Sequence, residues 1–326
     1  MPRNLNTLLS RINFGLDDDP TLAADKVRHM GEPIVAVVGD SPREADEALA
    51  KIRVDYEPLP SVFDVEEALK PGAPSINDTY PKSAFIYHDR YDHQKLRFGD
   101  VERGYAEADH VIEHRYQMSS IEHAPTGTNG RIAAPDTRGR YLVYTSTQAL
   151  FLSLDTCAKI PEAPSNTFHL IGGKVGGGFG AKVDTLTEPL AILGAMLTGR
   201  PVRYLFGREE EMHYGPPSAS ICRTAPSARA ASSRARFVSI STQAPMPSCR
   251  ATPSSNAPPI FPAPIRSQTC MATSIAHTNR TSAAAMRGLG VTVMNFAIEC
   301  QWDRLAELVG MDPMEFRIPT PVATAT

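Results

Sequence analysis

The sequence predicts an α+β protein in which a small α/β domain is followed by part of a larger mixed α/β domain. Two patterns predict this fold class. A strand, a helix and a second strand follow one another near the N-terminus, which is the order of a compact α/β unit. Beyond residue 99, short segments of alternating apolar and polar residues predict a sheet-rich domain. A chain of 326 residues is long enough for such domains to bury separate cores.

The small domain contains three predicted elements. Residues 33–38 are an apolar run rich in β-branched side chains, which predicts a buried strand. Apolar residues at helical spacing predict a helix over 43–52, with Ser41 as its N-cap and Pro42 in its first turn. A second strand is predicted at 53–56, and the prolines that follow it end the strand.

The larger domain is predicted from alternation, from helical spacing and from stop signals such as Gly199. Its predicted helices cover 101–106, 188–197 and 291–308, and its predicted strands cover 110–117, 128–133, 140–144, 166–171 and 202–206. The expected organisation is a loose N-terminus (1–20), the small domain (21–71), a linker (72–95), the first half of the larger domain (96–212), an aberrant stretch (213–276), a continuation of the larger domain (277–318) and an aberrant tail (319–326).

The aberrant stretch is defined by what its sequence omits. Between Glu211 and Glu299 there is no carboxylate and no lysine, and Ala, Ser, Pro, Arg and Thr dominate. So few large apolar residues cannot offset a backbone ordering cost of about 1 to 2 kcal/mol per residue. Two interpretations stay open. One is a disordered linker, and the other is translation in a shifted reading frame, since GC-rich coding DNA read out of frame gives this mixture.

Composition and charge exclude several classes of function. The net charge of -3 is too small to indicate a nucleic-acid or anionic-membrane partner, which favours a small-molecule substrate. The sequence has neither a membrane-spanning apolar run nor a signal-peptide pattern, and therefore predicts a cytoplasmic protein. The five cysteines are odd in number and widely spaced, so we expect neither a disulfide framework nor a CxxC metal site.

The strongest local motif is the glycine run of residues 172–182, GGKVGGGFGAK, which lies between a predicted strand and a predicted helix. Successive glycines let the backbone approach a ligand closely and direct its amides toward an anion. The run lacks the Gly-Lys-Ser/Thr ending of a phosphate loop. Gly176, Gly178 and Ala181 fit a loose dinucleotide fingerprint, but the next strand does not end in an acidic residue. A dinucleotide-binding dehydrogenase therefore stays a remote alternative.

Two other groups of residues suggest a zinc site and an acid and base pair, but each has a simpler explanation. His110, Glu113 and His114 spell HxxEH, a zinc signature that requires a helix, whereas their neighbours favour a strand. Glu122 and His123 could form an acid and base pair, but they are more typical of turn residues near a pocket.

These motifs, in their order, resemble the molybdopterin-binding large subunit of the xanthine dehydrogenase and aldehyde oxidase family. Residues 31–38 and 54–60 resemble the family's hammerhead domain, and residues 99–109 resemble the entry to its first molybdenum-binding domain. The Glu-His-Ala-Pro turn (122–125), the Ser-Thr-Gln strand end (146–148), the glycine run, the Ala-Met-Arg-Gly-Leu-Gly loop (285–290) and Gly-Met-Asp-Pro (310–313) then follow in family order. The resemblance implies that the chain is a fragment of such a subunit, and it favours an internal frameshift over a linker for the aberrant stretch.

The resemblance implies a molybdenum–molybdopterin cofactor, in its plain or cytosine dinucleotide form. By motif, the cofactor-binding residues are Gln148, Gly178, Phe179, Gly180 and Arg287. Gln148 would donate its amide to an oxygen ligand of molybdenum, while Phe179 and Arg287 would lie near the metal. No residue is expected to ligate the metal directly.

Departures from the family pattern concern the substrate. Val183 stands where xanthine-oxidising members carry a glutamate, and Leu289 stands where they carry a phenylalanine. Gly127 replaces an acidic residue that is common in relatives. The two pocket positions, Val183 and Leu289, make a purine a poorer fit than an aldehyde, an aromatic or heteroaromatic compound, or an aryl-CoA.

The family implies an oxidoreductase that hydroxylates its substrate with oxygen from water and uses a glutamate as general base. This chain has no residue that matches that glutamate, so no catalytic residue is assigned and the chain alone is expected to be incomplete and inactive. The 2Fe-2S clusters and FAD are expected on partner subunits. The alternative is an inactive frameshifted remnant that binds at most a partner subunit.

Overall fold

The computed structural model describes twelve parts of the chain: residues 21–23, 25–63, 67, 70–76, 94–116, 121–159, 161–214, 225–232, 237–245, 269–277, 286–288 and 291–317. The chain divides into two compact units. Unit 1 comprises Met1–Ser61, Glu122–Ser218 and Ser248–Thr252, and unit 2 comprises Val62–Ile121, Ala219–Pro247 and Pro253–Thr326. Among the described helices, none has the length and apolar character that crossing a membrane requires.

The N-terminal part of unit 1 contains helix α1 (Pro42–Leu49), as predicted. Ser41 caps it by accepting a hydrogen bond from Glu44 N at 3.3 Å. The strands predicted at 33–38 and 53–56 are wrong, because neither segment belongs to a sheet in the described part of the chain. An extended segment becomes a strand only beside a partner that completes its ladder.

A four-stranded sheet forms the centre of unit 1, with the strand order β5-β4-β3-β6. Its strands are β3 (Gly130–Pro135), β4 (Tyr141–Thr145), β5 (Phe168–Gly172) and β6 (Val202–Leu205), and its helices are α3 (Leu150–Lys159), α4 (Glu188–Thr198) and α5 (Arg208–Tyr214). The four strands and α4 are confirmed predictions. The sequence did not predict α3, which supplies the crossover that the parallel pair β4 and β5 requires.

One face of this sheet carries the core of unit 1. The residues buried there are Ala133, Val143, Phe168 and Leu170 from the strands, Cys157 and Ala158 from α3, and Ala191, Ile192 and Ala195 from α4. On the opposite face Ile132, Tyr144 and Leu205 are exposed. Helix α4 begins at Glu188 and ends at Gly199, whose φ of 67° lets the chain turn in the left-handed region. The glycine run begins at Gly172, the last residue of the edge strand β5, and precedes α4 in the chain.

Unit 2 contains a five-stranded sheet with the strand order β1-β9-β8-β7-β2. Its strands are β1 (Gln94–Phe98), β2 (His110–Tyr116), β7 (Ala225–Ser232), β8 (Phe237–Pro245) and β9 (Thr269–His277). Its helices are α2 (Val101–Ala106), α6 (Val291–Leu308) and α7 (Pro313–Arg317). Strand β2 and helices α2 and α6 are confirmed predictions, whereas β1 and α7 were not predicted.

Three of these strands lie where composition predicts a disordered or frameshifted segment. The backbone of β8 pairs in parallel with β9 from Phe237↔Thr269 to Pro245↔His277, and β7 pairs antiparallel with β2 and β8. The expectation of disorder therefore differs from the structure at these strands. Ladder hydrogen bonds use groups that every non-proline residue carries, and Val238, Ile240 and Thr242 are β-formers at alternate positions. The rest of residues 215–276 lies outside the described residues.

Candidate functional site

The glycine run forms a loop between β5 and α4, and the loop has an unusual backbone. Gly176, Gly177 and Gly180 have φ values of 70°, 90° and 114°. Phe179 has a φ of 56°, a left-handed conformation that a bulky side chain rarely adopts. The residue is 39% exposed. The loop therefore presents a strained peptide and an aromatic ring at the surface of unit 1.

Gln148 lies beside this loop, three residues after the end of β4. Its Oε1 accepts hydrogen bonds from Gly180 N at 3.1 Å and from Lys182 N at 3.3 Å. Because the loop presents only N–H donors to this side chain, the oxygen must face the loop and the NH2 group must face away. Within the described part of the chain that NH2 group has no hydrogen-bond partner. The geometry thus leaves an oriented neutral donor for an acceptor ligand.

Gly178 makes room for the Gln148 side chain. A Cβ atom built on Gly178 would overlap Gln148 Oε1 and would lie 3.1 Å from Gln148 Cγ. A side chain at this position would displace Gln148 from the loop. The glycine is therefore required by the close approach of the two segments.

Lys182 ends the loop and connects it to a neighbouring turn. Its residue surface is 1% exposed, and its Nζ donates to Gly127 O and Val175 O, both at 2.6 Å. Gly127 N in turn donates to Gly176 O at 2.9 Å. Burial lowers the pKa of Lys182, and the negative charge of Glu211 opposes that shift. The loop is thereby fastened to the turn at two points.

The turn that contains Gly127 begins at Glu122 and His123, which the sequence suggested to be turn residues. The His123 side chain is fully buried, and its Nδ1 lies 3.6 Å from Glu122 Oε1. From α5, Arg208 Nη2 donates to Pro125 O at 2.7 Å and to Thr126 O at 3.0 Å. The turn is consequently held by cationic donors from two directions.

Buried charged side chains of β3, α4 and α5 form a hydrogen-bonded network that the sequence did not predict. Arg131 of β3 pairs with Glu188 at the start of α4, and both side chains are fully buried. Thr145 Oγ1 donates to Glu188 Oε1 at 2.8 Å, while Asn129 N and Nδ2 donate to the buried Glu211 at 2.7 and 2.8 Å. A usable signal was present, because a charge inside an otherwise apolar strand or helix start needs a buried partner.

The structure brings most of the predicted site residues together within unit 1. Gln148, Gly178, Phe179 and Gly180 lie together in unit 1. Val183 is half-buried and follows directly, with its N donating to Gly180 O at 3.1 Å. Arg287 is exposed and belongs to unit 2, in the described stretch of residues 286–288. Leu289 lies outside the described residues.

The HxxEH motif of unit 2 lies on strand β2, as expected from its neighbours. His110 and Glu113 are exposed, and His114 Nδ1 lies 3.3 Å from Oε1 of Gln301 in α6. On a strand, His110 and His114 face the side opposite to Glu113. The helical arrangement that this zinc signature requires is therefore not formed.

Comparison with known proteins extends these observations. The family model described as "Molybdopterin cofactor-binding domain" matches residues 86–222 and 267–319, more than half of the chain. The model described as "Aldehyde oxidase and xanthine dehydrogenase, a/b hammerhead domain" matches residues 3–60. The fold is similar to that of the aldehyde oxidoreductase of Desulfovibrio gigas, with a TM-score of 0.87 and 24% identity, over 97% of this chain and 36% of that chain.

Two curated relatives cover nearly the whole chain. A probable xanthine dehydrogenase subunit of Bacillus subtilis is 29% identical over 95% of this chain and 41% of its own length. The nicotinate dehydrogenase large molybdopterin subunit of Eubacterium barkeri is 27% identical over 95% of this chain and 72% of its own length. The chain thus spans about two fifths of the first relative and about a third of the solved aldehyde oxidoreductase. The matched domains and their order show that it belongs to the molybdopterin-binding family of xanthine dehydrogenases and aldehyde oxidases.

Proposed function

We propose that this chain supplies the face of a molybdopterin site formed by Gln148 and the glycine loop. The assembled enzyme would be a molybdenum hydroxylase that oxidises its substrate with oxygen from water. The observation that carries the proposal is the direction of the Gln148 amide, whose oxygen is held by Gly180 N and Lys182 N. Its NH2 group is thereby presented as a donor.

The residues of the loop fit such a cofactor. An oxygen ligand of molybdenum accepts hydrogen bonds, and a neutral amide donates one without adding a charge. Gly178 leaves room for the Gln148 side chain, and Phe179, which follows it, is 39% exposed, so a ligand can reach the loop at Phe179 and at the Gln148 amide. When bound, the cofactor supplies the two-electron redox chemistry of the reaction. We propose Arg287 as a further contact, on its motif alone.

The substrate we propose is an aldehyde, an aromatic or heteroaromatic compound, or an aryl-CoA. Val183 is a half-buried apolar residue next to the loop, and it offers no hydrogen bond to a purine. The relatives are named for xanthine and for nicotinate, so their names alone leave both classes open. Leu289 is proposed as a second apolar residue of the pocket.

The electrons are proposed to leave through partner subunits that carry 2Fe-2S clusters and FAD. Two of the relatives are named as subunits, which supports an assembly of several chains. A cytosine dinucleotide form of the cofactor is also proposed, from the family resemblance.

A chimera tests the role of this face in cofactor binding. In the Eubacterium barkeri nicotinate dehydrogenase large subunit, the segment that matches residues 122–214 is replaced by those residues of this chain. The chimera is produced with its partner subunits, and molybdenum and pterin are measured per subunit. We expect retention of both. A folded chimera with neither would contradict the proposal.

Two variants of the chimera test Gln148 itself. Gln148→Glu keeps the side-chain shape but replaces the NH2 donor by an acceptor, and Gln148→Ala removes the donor. Loss of one such donor costs about 3 kcal/mol of transition-state stabilisation, or roughly a hundredfold in turnover. Lys159→Ala, at an exposed position of α3 outside the glycine loop, is the control. Full turnover of Gln148→Glu at full molybdenum occupancy would exclude the proposed role.

A second candidate is an inactive remnant that binds at most a partner subunit. The composition between Glu211 and Glu299 favours it, because no carboxylate or lysine occurs there. The coding DNA across codons 210 to 290 decides this point. A shift of one or two bases that restores acidic and lysine-containing sequence would support the frameshift. If neither alternative frame gives such a sequence, the frameshift is excluded.

A further inference from the structure

Lys182 contacts Gln148 through its backbone and the surrounding segments through its ammonium group. We propose that Lys182 is a positioning residue that fixes the direction of the Gln148 NH2 group. The inference rests on the proposed function of Gln148 as a donor to the cofactor. It assigns to Lys182 a role that the glycine pattern alone does not suggest.

The backbone of Lys182 holds both ends of Gln148. Lys182 N donates to Gln148 Oε1 at 3.3 Å, and Lys182 O accepts from Gln148 N at 2.7 Å. Lys182 O also accepts from Thr147 Oγ1 at 3.1 Å. Both the main chain and the side-chain oxygen of Gln148 are therefore located relative to one residue of the loop.

The ammonium group of Lys182 fixes the position of Lys182 itself. Its hydrogen bonds to Gly127 O and Val175 O connect the end of the loop to its beginning and to the neighbouring turn. Burying a charge costs several kcal/mol unless its donors are satisfied, and an apolar side chain of the same length would avoid that cost. A lysine at this position is therefore better explained by its effect on the position of the loop end than by a contribution to the free energy of unfolding.

The connection to the NH2 group runs through the short turn at 178–183. Within it, Ala181 N donates to Gly178 O at 2.9 Å and Val183 N donates to Gly180 O at 3.1 Å, and these bonds constrain the positions of Gly180 N and Lys182 N relative to each other. These two N–H groups are what keep Oε1 against the loop. The last torsion of a glutamine side chain is broad, so without them the amide rotates and its NH2 group loses a fixed direction.

The experiment measures that direction by NMR on the full chain, with no cofactor present. Glutamine side chains are labelled with 15N, and the Gln148 NH2 signal is identified by its loss in Gln148→Ala. Lys182→Met removes the ammonium group at similar length, and Lys174→Met is the control at an exposed lysine of the same loop. The NH2 signal of Gln301, which donates to Ile112 O at 3.1 Å in unit 2, is the internal reference.

We expect Lys182→Met to move the Gln148 signal to the position of a freely rotating glutamine. Lys174→Met should leave the Gln148 signal unchanged. In Lys182→Met, the Gln301 signal and the amide exchange of Ile192 in the core of unit 1 should also stay unchanged. An unchanged Gln148 signal in Lys182→Met overturns the proposal. Loss of protection at Ile192 together with the shift also overturns it, because that result means general destabilisation.

A second variant covers the case in which Lys182→Met does not fold. Lys182→Gln keeps one donor group at a shorter reach, and a displaced Gln148 signal in it supports the proposal while an unchanged one overturns it. In the chimera, the double variant Lys182→Met/Gln148→Ala should turn over no more slowly than Gln148→Ala alone, since the lysine acts through the glutamine. Additive losses overturn the proposal. Because the NMR measurement needs no cofactor, its failure is distinguishable from failure of the proposed function.

Discussion

The sheets of unit 1 and unit 2 are built from very different sequences. In unit 1, the strands alternate buried apolar residues such as Val143 with exposed ones, and the buried face packs against α4. In unit 2, β7, β8 and β9 come from a region with no carboxylate, lysine or leucine between residues 216 and 276. Among the residues of unit 2 whose burial the structure describes, Leu305 and Trp302 of α6 are buried.

The difference separates two contributions to a sheet. Backbone hydrogen bonds can form along almost any sequence, because each non-proline residue carries a donor and an acceptor. The free energy that holds strands together comes largely from side-chain packing against neighbours. Unit 1 has that packing and a buried charge network in addition. We therefore expect the two sheets to differ in stability although backbone ladders join the strands of both.

The largest expected effect is in unit 1, at the buried ion pair. Arg131→Met leaves Glu188 as a buried charge without its partner, which should lower the free energy of unfolding by about 4 kcal/mol. Amide exchange in α4 during urea unfolding measures it. The control is Arg200→Met, because the Arg200–Asp40 pair is 68% and 72% exposed and should change stability by less than about 0.5 kcal/mol. Equal effects at both sites would show that the buried pair does not stabilise the unit.

The next effect is expected in unit 2, at the fully buried Leu305 of α6. Leu305→Ala creates a cavity and should cost roughly 3 kcal/mol. Trp302, the single tryptophan of the chain, lies on the same helix and reports the unfolding of unit 2 by fluorescence. Leu308→Ala, at a half-exposed position, is the control. A small effect at Leu305 would mean that α6 does not provide the core of this unit.

The same contrast explains which parts could be predicted from the sequence. Helix α1 was predictable from Ser41 and Pro42, and α4 from its apolar stretch and from Gly199, since these signals act within a few residues. The glycine loop and Gln148 were predictable because each stands in a recognisable motif. The family resemblance thus indicated four residues that the structure places next to one another, and their role in cofactor binding stays a prediction.

The failures concern features that depend on distant parts of the chain. The strands predicted at 33–38 and 53–56 needed a partner strand, which an apolar run does not reveal. The hydrogen bond from Lys182 Nζ to Gly127 O joins residues that are 55 positions apart in sequence, so no local pattern predicts it. Helix α3 was missed although Leu150, Leu154 and Cys157 recur at helical spacing, and its position follows from the crossover between β4 and β5.

A third prediction compares the two sheets directly by amide hydrogen exchange. Amides of β7 and β8 should exchange at least about tenfold faster than those of β3 and β4, a difference of about 1.4 kcal/mol in opening free energy. The reason is that the sequence of the unit 2 strands offers few large apolar side chains. Trypsin should accordingly cut first within residues 213–276, where several arginines occur. Equal protection in both sheets would remove the distinction between the units.

The smallest effect is expected from single tyrosine hydroxyls, one in each unit. In unit 2, Tyr116 OH donates to Gln301 Oε1 at 2.6 Å, and burial raises the pKa of Tyr116 above its usual 10.0. In unit 1, burial likewise raises the pKa of Tyr204, and the neighbouring Glu210 raises it further. Removing either hydroxyl should cost about 1 kcal/mol near pH 7.

The pH dependence of these two tyrosines has a definite sign. Below about pH 10 both the folded and the unfolded states keep the phenolic proton, so the contribution of each tyrosine is complete. Above that value the unfolded chain loses the proton first, and stability falls as pH rises toward the higher pKa of the folded state. Tyr116→Phe should flatten this alkaline fall in the Trp302 fluorescence of unit 2 alone, and Tyr204→Phe should flatten it in the α4 amides of unit 1 alone. If either substitution changed the slope in both probes, that result would mean that the two units unfold together. They would then share a single free energy of unfolding.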